Sequence, residues 1–250
     1  MKLFRSSGRF FCDQLVKLAP NAFLDSLRRN HFDYVAREFN RAYLFDWNKA
    51  KLPSKLEQFE DLASLFALSP MSRGIIRQDF DEAAALFRAI KNLPEPRGVE
   101  IGRFNGGSTV LLAAAVGRNG KLVSIDIDPQ DDPTLARILN RVNLRNRVEL
   151  IVGDANQIQA GQEFDFVFID GDHSYEGAKR DHNRWGKMTR AGGLIIHHDM
   201  ADSRPFSTQW DDLARLRADI ISKQTDGLEL VDEVGSLSIF KKKNDSWTDI

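Results

Sequence analysis

A glycine-rich turn joins a short apolar segment to a helical pattern in the stretch Val99-Glu-Ile-Gly-Arg-Phe-Asn-Gly-Gly-Ser108. Gly102 lets the backbone turn sharply, and Gly106 lets a ligand approach the start of the helix closely. The spacing is E-x-G-x-x-x-G, whereas dinucleotide sites use G-x-G-x-x-G and bind a pyrophosphate at the helix. A carboxylate at Glu100 suits a cationic amino or sulfonium group instead. The stretch therefore predicts a β-strand, a cofactor-binding turn and an α-helix.

Short apolar segments, each followed by a polar turn and a helical pattern, recur from this stretch to residue 197. They are Gly98–Ile101, Lys121–Ile127, Val148–Val152, Phe164–Ile169 and Gly193–His197. Nearly continuous apolar strands separated by helices are typical of a parallel sheet covered on both faces. Glu229–Glu233 and Ser236–Lys241 flank a Val-Gly pair and predict an antiparallel hairpin. The predicted fold class is α/β, a doubly wound, seven-stranded sheet of five parallel βα units and a terminal antiparallel hairpin.

The sequence divides into two regions. Residues 1–70 place apolar residues at helical spacings between prolines, which predicts a helical N-terminal extension. Residues 71–250 carry the alternating strand and helix signals and form the predicted cofactor-binding domain. The extension could close over the site, form the contact of a homodimer, or hold the chain near a membrane.

The net charge and the cysteine content indicate which partners and which cellular compartment are expected. The formal net charge of −1 lacks the basic excess with which proteins bind nucleic-acid phosphates, so no nucleic-acid partner is expected. Cys12 is the only cysteine, which excludes an intrachain disulfide and is typical of a reducing compartment. No apolar run resembles a secretion signal or is long enough to span a bilayer. A cytoplasmic location without a transmembrane segment is predicted.

Acidic residues stand where the second and third predicted strands end. Asp126 ends the second strand, 24 residues after Gly102, and a carboxylate there can bind both hydroxyls of a ribose. Asp154 follows the third strand in a Gly-Asp-Ala sequence, where it can accept a hydrogen bond from an adenine amino group. The carboxyl ends of parallel strands meet at one edge of the sheet, which is where open α/β proteins bind ligands. These residues therefore predict a cofactor site at that edge.

Titratable side chains also follow the fourth and fifth predicted strands. They are Asp170, Asp172, His173, His197, His198 and Asp199. Such groups can remove a proton from a reacting hydroxyl or hold a divalent cation that lowers its pKa. Because adjacent strand residues face opposite sides, only one of the two neighbouring histidines is expected to reach the site. Asp170 and Asp172 could also cap the helix that begins near Tyr175, a role that can coexist with catalysis.

Three stretches resemble the S-adenosylmethionine-dependent O-methyltransferases, specifically the group called methyltransferase family 24. They are Val99-Glu-Ile-Gly-Arg-Phe-Asn-Gly-Gly-Ser-Thr109, Phe164-Asp-Phe-Val-Phe-Ile-Asp-Gly-Asp-His-Ser-Tyr-Glu-Gly177 and Ala191-Gly-Gly-Leu-Ile-Ile-His-His-Asp199. The resemblance covers residues 71 to 241 approximately. It implies a Rossmann-like class I methyltransferase fold and S-adenosylmethionine as the cofactor. The implied acceptor is a small molecule with a hydroxyl group, and a sugar or glycan hydroxyl is favoured.

The resemblance also implies roles for individual residues. The turn after the first strand is expected to surround the methionine part of the cofactor, with Asp126 on the ribose and Asp154 near the adenine. The expected cofactor site comprises Glu100, Gly102, Phe104, Asn105, Gly106, Ser108, Asp126, Asp154 and Asp170. In sugar-directed relatives a carboxylate at the position of Asp172 looks like the base, and in catechol-type relatives a lysine stands where His173 falls. Both residues are therefore expected to be catalytic.

A divalent cation is a further implication of the resemblance. Related O-methyltransferases bind one at the fourth and fifth strand ends, and Asp170, His198 and Asp199 match the ligand positions. The relatives usually have a carboxylate where this sequence has His198. Magnesium prefers oxygen ligands, whereas a set that contains histidine suits manganese, iron or zinc better. Magnesium or manganese is the expected cation.

Other functions stay open on the sequence alone. The same family label covers proteins described as cephalosporin-type hydroxylases, and Asp170, His198 and Asp199 could hold the iron of such an enzyme. Dependence on 2-oxoglutarate would identify that metal-dependent hydroxylase. A non-catalytic homologue could keep the cofactor pocket alone, although the intact acidic groups at both strand ends argue against it. A nucleic-acid methyltransferase lacks both a basic balance and the Asn/Asp-Pro-Pro-Tyr/Phe signature of base methylation.

Overall fold

A seven-stranded sheet lies at the centre of the computed structural model, which describes residues 52–66, 75–159, 161, 163–200 and 211–250. The strands are β1 (Arg97–Ile101), β2 (Lys121–Asp126), β3 (Val148–Val152), β4 (Phe164–Ile169), β5 (Thr189–His197), β6 (Leu228–Val234) and β7 (Leu237–Lys242). They are arranged in the order β3-β2-β1-β4-β5-β7-β6. Strands β1 to β5 are parallel, and β7 runs antiparallel to both β5 and β6. The predicted fold class is confirmed.

Strand β5 begins at Thr189 rather than at the predicted Gly193. Thr189 pairs with Phe164 of β4, but the next pair joins Leu194 to Phe166, so β5 carries extra residues in a bulge. Gly192 lies within the bulge with a φ of 78°. A left-handed residue of this kind is typical of a bulge, and glycine adopts it without strain. The apolar pattern shows only the regular part of the strand, which explains the difference.

Five α-helices flank the strands in the part of the chain that the structure describes. They are α1 (Phe80–Lys91), α2 (Gly107–Ala115), α3 (Asp132–Arg141), α4 (Tyr175–Met188) and α5 (Asp211–Lys223), with 3-10 helices at Phe59–Leu65 and Arg145–Arg147. Side-chain caps start several of them: Ser174 accepts a hydrogen bond from Gly177 N–H, and Asp131 accepts one from Thr134 N–H. Residues 153–159, which follow β3, form turns instead of a helix.

Alternate residues of the strands face two apolar cores, one on each side of the sheet. Phe166 and Phe168 of β4 belong to the first core, with α1, α2 and α3, whereas Val167 and Ile169 belong to the second, with α4 and α5. This alternation is the two-residue period of a strand covered on both faces. Leu56, Leu62 and Leu65 from segment 52–66 are also buried in the first core.

Most of the predicted N-terminal extension lies outside the described residues. Its helical character and its boundary at residue 70 therefore stay predictions. In the described part of the chain, no helix combines the length and the apolar character needed to cross a bilayer.

Glu100 is a carboxyl group buried inside the sheet. Its Oε2 atom accepts hydrogen bonds of 2.6 Å from the hydroxyls of Thr109 on α2 and Ser124 on β2. Burial raises the pKa of Glu100 to about 7, although the hydroxyls of Ser108, Ser124 and Thr109 lower it. Glu100 thus links β1 to its neighbours, and its carboxyl group is protonated over much of the acidic pH range.

The substitution Gly98→Ala tests the packing between β1 and β4. A β-carbon on Gly98 would lie 1.9 Å from Cζ of Phe166, whose ring is fully buried. Overpacking of this kind is expected to lower the free energy of unfolding by about 1–3 kcal/mol. Urea unfolding followed by circular dichroism measures the change. Gly227→Ala is the matched control, because its β-carbon would meet no atom closer than 3.7 Å. Equal stability of the two variants would contradict this packing.

The pH dependence of stability tests the protonated state of Glu100. The folded-state pKa of about 7 exceeds the ordinary value of 4.5, so the native state binds the extra proton. The stability that this proton contributes is complete below pH 4.5 and is lost as the pH rises through 7. Relative to Glu100→Gln, the wild type should lose stability over this range, by about 1.4 kcal/mol per pH unit at the steepest. A difference between the two proteins that does not change from pH 5 to 8 would refute the assignment.

Candidate active site

The turn that follows β1 packs directly against the end of β4. Gly102 and Gly106 have φ values of 83° and 85°, and Phe104 between them also has a positive φ of 49°. A β-carbon on Gly102 would lie 2.1 Å from the carbonyl oxygen of Asp170. Glycine is therefore required at this position for two reasons, the left-handed backbone and the close approach. The predicted cofactor turn and the predicted catalytic strand end thus lie side by side.

Asp126, at the end of β2, holds this turn through the backbone. Its Oδ2 atom accepts hydrogen bonds from the N–H groups of Arg103 at 2.7 Å and Phe104 at 2.8 Å, and Oδ1 accepts one from Asp128 N–H at 2.8 Å. A carboxylate oxygen accepts about two hydrogen bonds, so Oδ1 retains capacity for a ligand hydroxyl. The ribose role of Asp126 stays a prediction, and this geometry is compatible with one direct hydrogen bond through Oδ1.

Arg103 is a buried cation at this turn that the sequence pattern does not single out. Only 2% of it is exposed. Its guanidinium binds both carboxylate oxygens of Asp132, at 2.8 and 2.6 Å, and donates to the carbonyls of Ser124 and Ile151. A bidentate pair of this kind fixes geometry well. Arg103 thereby joins the turn to α3 and to the backbones of β2 and β3. A charged residue inside a glycine-rich turn is the signal that could have indicated such a partner.

The remaining residues of the predicted methionine site surround the start of α2. Phe104 is 46% exposed, with the guanidinium of Arg77 at 5.4 Å from its ring centre. Asn105 is half-buried, and Ser108 is buried in the first turn of the helix. Two apolar side chains at the same sheet edge are also exposed, Ile127 after β2 and Val152 at the end of β3. The turn and this edge together offer polar and apolar contacts to a ligand.

Asp154 follows β3 and is held by its own loop. Its carboxylate accepts hydrogen bonds from Asn156 N–H at 2.8 Å and from the Gln157 side chain at 3.1 Å. The Asn156 side chain in turn donates to Asp181 of α4 at 2.8 Å. Burial raises the pKa of Asp181 to about 6, against the hydrogen bond from Asn156, which lowers it. The adenine role of Asp154 stays a prediction.

A cluster of acidic and histidine side chains lies at the ends of β4 and β5. One ligand atom each from Asp170, His173 and Asp199 falls within 4.8 Å of the other two. The Nε2 atom of His173 is 3.5 Å from Oδ1 of Asp170 and 3.8 Å from Oδ2 of Asp199. His198 lies beside the same carboxylates, with Nδ1 3.4 Å from Asp170 and 3.5 Å from Asp199. The three predicted metal ligands are thus together, and His173 joins them.

The cluster is strongly coupled electrostatically. Burial lowers the pKa of His198, but Asp170, Asp199 and Glu82 raise it well above 6.5. Burial raises the pKa of Asp170, yet His198 and His173 lower it to about 2. The charged carboxylates and the imidazolium therefore stabilise each other at neutral pH.

Asp172 lies apart from this cluster. Its carboxylate is about half exposed, accepts a hydrogen bond from Ser174 N–H at 2.8 Å, and lies 3.9 Å from the guanidinium of Arg180. A β-carbon on Gly177 would be 2.0 Å from Oδ2 of Asp172, so the carboxylate packs over the first turn of α4. Ser174 is the N-cap of that helix. The Asp172 carboxylate is open to solvent, and its role as a base stays a prediction.

The two neighbouring histidines at the end of β5 face opposite directions, as expected for a strand. His197 is fully buried, and its Nε2 atom lies 2.9 Å from Nδ1 of His182 on α4. Burial lowers the pKa of His197 well below 6.5 and that of His182 to about 4, so both rings are neutral. His197 is part of the packing between β5 and α4, and His198 alone of the pair reaches the cluster.

Part of the chain is similar to known proteins. Residues 99–200 match a family model described as a methyltransferase domain. Catechol O-methyltransferase of Mycobacterium tuberculosis is 34% identical over 104 residues, which are 40% of this chain and 46% of that protein. Caffeoyl-CoA O-methyltransferase 2 of Petunia hybrida is 26% identical over 161 residues, 61% of this chain and 65% of that protein. The chain thus spans less than two thirds of the length of these relatives.

Solved structures share the fold. An O-methyltransferase from Bacillus cereus in complex with S-adenosylhomocysteine has a TM-score of 0.53 and 22% identity, covering 84% of this chain and 96% of its own. A Podospora anserina methyltransferase bound to S-adenosylhomocysteine has a TM-score of 0.55 and 16% identity. The match covers 86% of this chain and 96% of that one. The seven-stranded sheet therefore has the fold of these methyltransferases, and residues 99–200 within it match a methyltransferase domain.

Proposed function

We propose that this chain transfers the methyl group of S-adenosylmethionine to a hydroxyl group of a small molecule. One observation carries the proposal: the backbone of the glycine-rich turn at Gly102 contacts Asp170, so a cofactor at the turn lies next to the acidic cluster. The named O-methyltransferase relatives support the same reaction. The metal-dependent hydroxylase is not favoured, because these relatives are methyltransferases.

The cofactor is proposed to lie along the carboxyl edge of the sheet. Its methionine part would occupy the turn from Gly102 to Ser108, its ribose would reach Oδ1 of Asp126, and its adenine would lie near Asp154. The exposed side chains of Ile127 and Val152 flank this path and are suited to the flat faces of an adenine ring. In this orientation the sulfonium methyl faces the ends of β4 and β5.

Methyl transfer needs few groups from the protein. The acceptor oxygen attacks the methyl carbon, the carbon–sulfur bond breaks, and S-adenosylhomocysteine leaves while the hydroxyl proton passes to a base. Alignment of oxygen, carbon and sulfur supplies much of the rate. Asp172 is the proposed base because its carboxylate is exposed and it follows Asp170 by two residues in the loop after β4. His173 lies on the same loop and faces Asp170 and Asp199.

The donor set of the cluster fits a divalent cation. Asp170 and Asp199 supply carboxylate oxygens, and His173 and His198 supply ring nitrogens that lie 3.4–3.8 Å from those oxygens. When bound, such a cation lowers the pKa of an acceptor hydroxyl and orients it. Two imidazoles favour manganese over magnesium, since magnesium prefers oxygen ligands. We therefore propose manganese at this position, with Asp170 and Asp199 as its main ligands.

The proposed acceptor class follows from the names of the relatives. Both relatives named above act, by their names, on catechol or on a caffeoyl thioester, which are aromatic compounds with hydroxyl groups. A phenol of this type is the proposed first test acceptor, and a sugar or glycan hydroxyl stays the alternative. A homodimer and the absence of a nucleic-acid partner stay predictions.

The substitution Asp126→Ala tests the cofactor assignment. It removes the proposed ribose contact and the acceptor that holds the turn at Arg103 and Phe104, so S-adenosylmethionine affinity should fall at least about tenfold. Isothermal titration calorimetry measures the dissociation constant. Asp128→Ala is the matched control. It removes an exposed carboxylate but keeps the Asp128 N–H group that donates a hydrogen bond to Asp126. Unchanged affinity in Asp126→Ala would remove the assignment.

The substitution Asp172→Ala tests the proposed base. Cofactor affinity should be unchanged, and methyl transfer from labelled S-adenosylmethionine to catechol should fall about 100-fold or more, as expected for loss of a general base. Glu176→Ala is the control, because Glu176 is an exposed carboxylate nearby, in the first turn of α4. Equal turnover in the wild type and Asp172→Ala would exclude Asp172 as the base.

A further inference from the structure

Glu82 is a buried carboxylate that reaches the cluster from outside the methyltransferase match. It lies on α1, before residue 99, and only 4% of it is exposed. Its Oε2 atom is 3.1 Å from Nε2 of His198, across 116 positions of sequence. A buried carboxylate is costly unless it is paired and hydrogen-bonded, so its partners indicate what it stabilises.

Every acceptor position of Glu82 faces a donor. Oε1 accepts hydrogen bonds from the backbone N–H of Ser236 at 2.6 Å and from its hydroxyl at 2.8 Å. Oε2 accepts from the backbone N–H of Asp79 at 3.1 Å and from His198. An amide at this position would turn an NH₂ group toward one of these donor pairs. A carboxylate is therefore the side chain that fits, and it ties α1 to the ends of β5 and β7.

This contact fixes the orientation of His198. Because Nε2 faces a carboxylate, Nε2 carries a hydrogen atom and donates it. The opposite ring atom, Nδ1, is buried and makes no hydrogen bond to any residue that the structure describes. It lies 3.4 Å from Oδ1 of Asp170 and 3.5 Å from Oδ2 of Asp199. Ligand atoms that bind one cation at about 2.1 Å are separated by about 3.0–3.4 Å in octahedral or tetrahedral geometry.

We propose that Glu82 is a positioning residue that holds His198 as a nitrogen ligand for a divalent cation shared with Asp170 and Asp199. The proposal rests on the function proposed above and assigns a role to a residue outside residues 99–200. It is the arrangement in which a carboxylate orients a metal-binding histidine through its other ring nitrogen. A bound cation replaces the proton on Nδ1, and the hydrogen bond to Glu82 is unchanged.

Manganese binding to the chelator-treated full chain tests this role. In Glu82→Gln the affinity for Mn²⁺, measured by calorimetry and by the spin resonance of free Mn²⁺, should fall about 10- to 100-fold. Glu60→Gln is the matched control, the same change at an exposed residue, and should keep wild-type affinity. Circular dichroism reports folding of each variant. If Glu82→Gln does not fold, Glu82→Asp, which keeps the charge but shortens the side chain, replaces it and should also weaken binding.

A double-mutant cycle separates positioning from a merely structural role. If Glu82 acts through His198, adding Glu82→Gln to His198→Ala should cause no further loss of Mn²⁺ affinity, whereas independent effects would add. Titration of the same proteins with S-adenosylmethionine reports the proposed function separately. Three results would each overturn the proposal. They are wild-type Mn²⁺ affinity in Glu82→Gln, additive losses of affinity in the double variant, and no Mn²⁺ binding by the wild type. Retained cofactor binding in those cases would leave the methyltransferase assignment in place.

Discussion

Gly102 approaches the end of β4 so closely that a β-carbon would lie 2.1 Å from the carbonyl oxygen of Asp170. No other residue permits this contact, because the backbone is also left-handed there. The approach brings the turn after β1 and the acidic strand end into one surface. Asp126 holds the other side of the turn through two backbone N–H groups, those of Arg103 and Phe104. The position of the turn relative to Asp170 is therefore set by backbone packing, and the proposed cofactor site depends on it.

Buried charges fix the two ends of this surface. Arg103 joins the turn to Asp132 of α3 and to the carbonyls of Ser124 in β2 and Ile151 in β3. Glu82 joins α1 to His198 and to Ser236 at the hairpin. Arg103 and Glu82 are both almost fully buried. Loss of a single partner would therefore leave a buried charge or a hydrogen-bond donor without compensation. They are therefore suited to holding neighbouring groups in one arrangement, and rigid positioning is what methyl transfer requires.

The sheet and the glycine-rich turn could be predicted from the sequence because local patterns encode them. Apolar runs mark the parallel strands, and the glycines that tolerate positive φ mark the turn. Arg103 and Glu82 could not be assigned partners in the same way. Their partners Asp132 and His198 are brought close only by the fold, and a single charged residue on a helix such as α1 usually faces solvent. The bulge in β5 was missed for a related reason, since its extra residues break the apolar pattern.

The most direct test of the account is isothermal titration of the chelator-treated wild-type chain with S-adenosylmethionine and S-adenosylhomocysteine, without metal and then with Mn²⁺. We expect micromolar binding of both ligands at one site per chain, because hydrogen bonds within the protein hold the turn on Asp126. We also expect heat of Mn²⁺ binding at the acidic cluster. Failure of both ligands to bind under either condition, in a protein shown to be folded, would contradict the methyltransferase assignment.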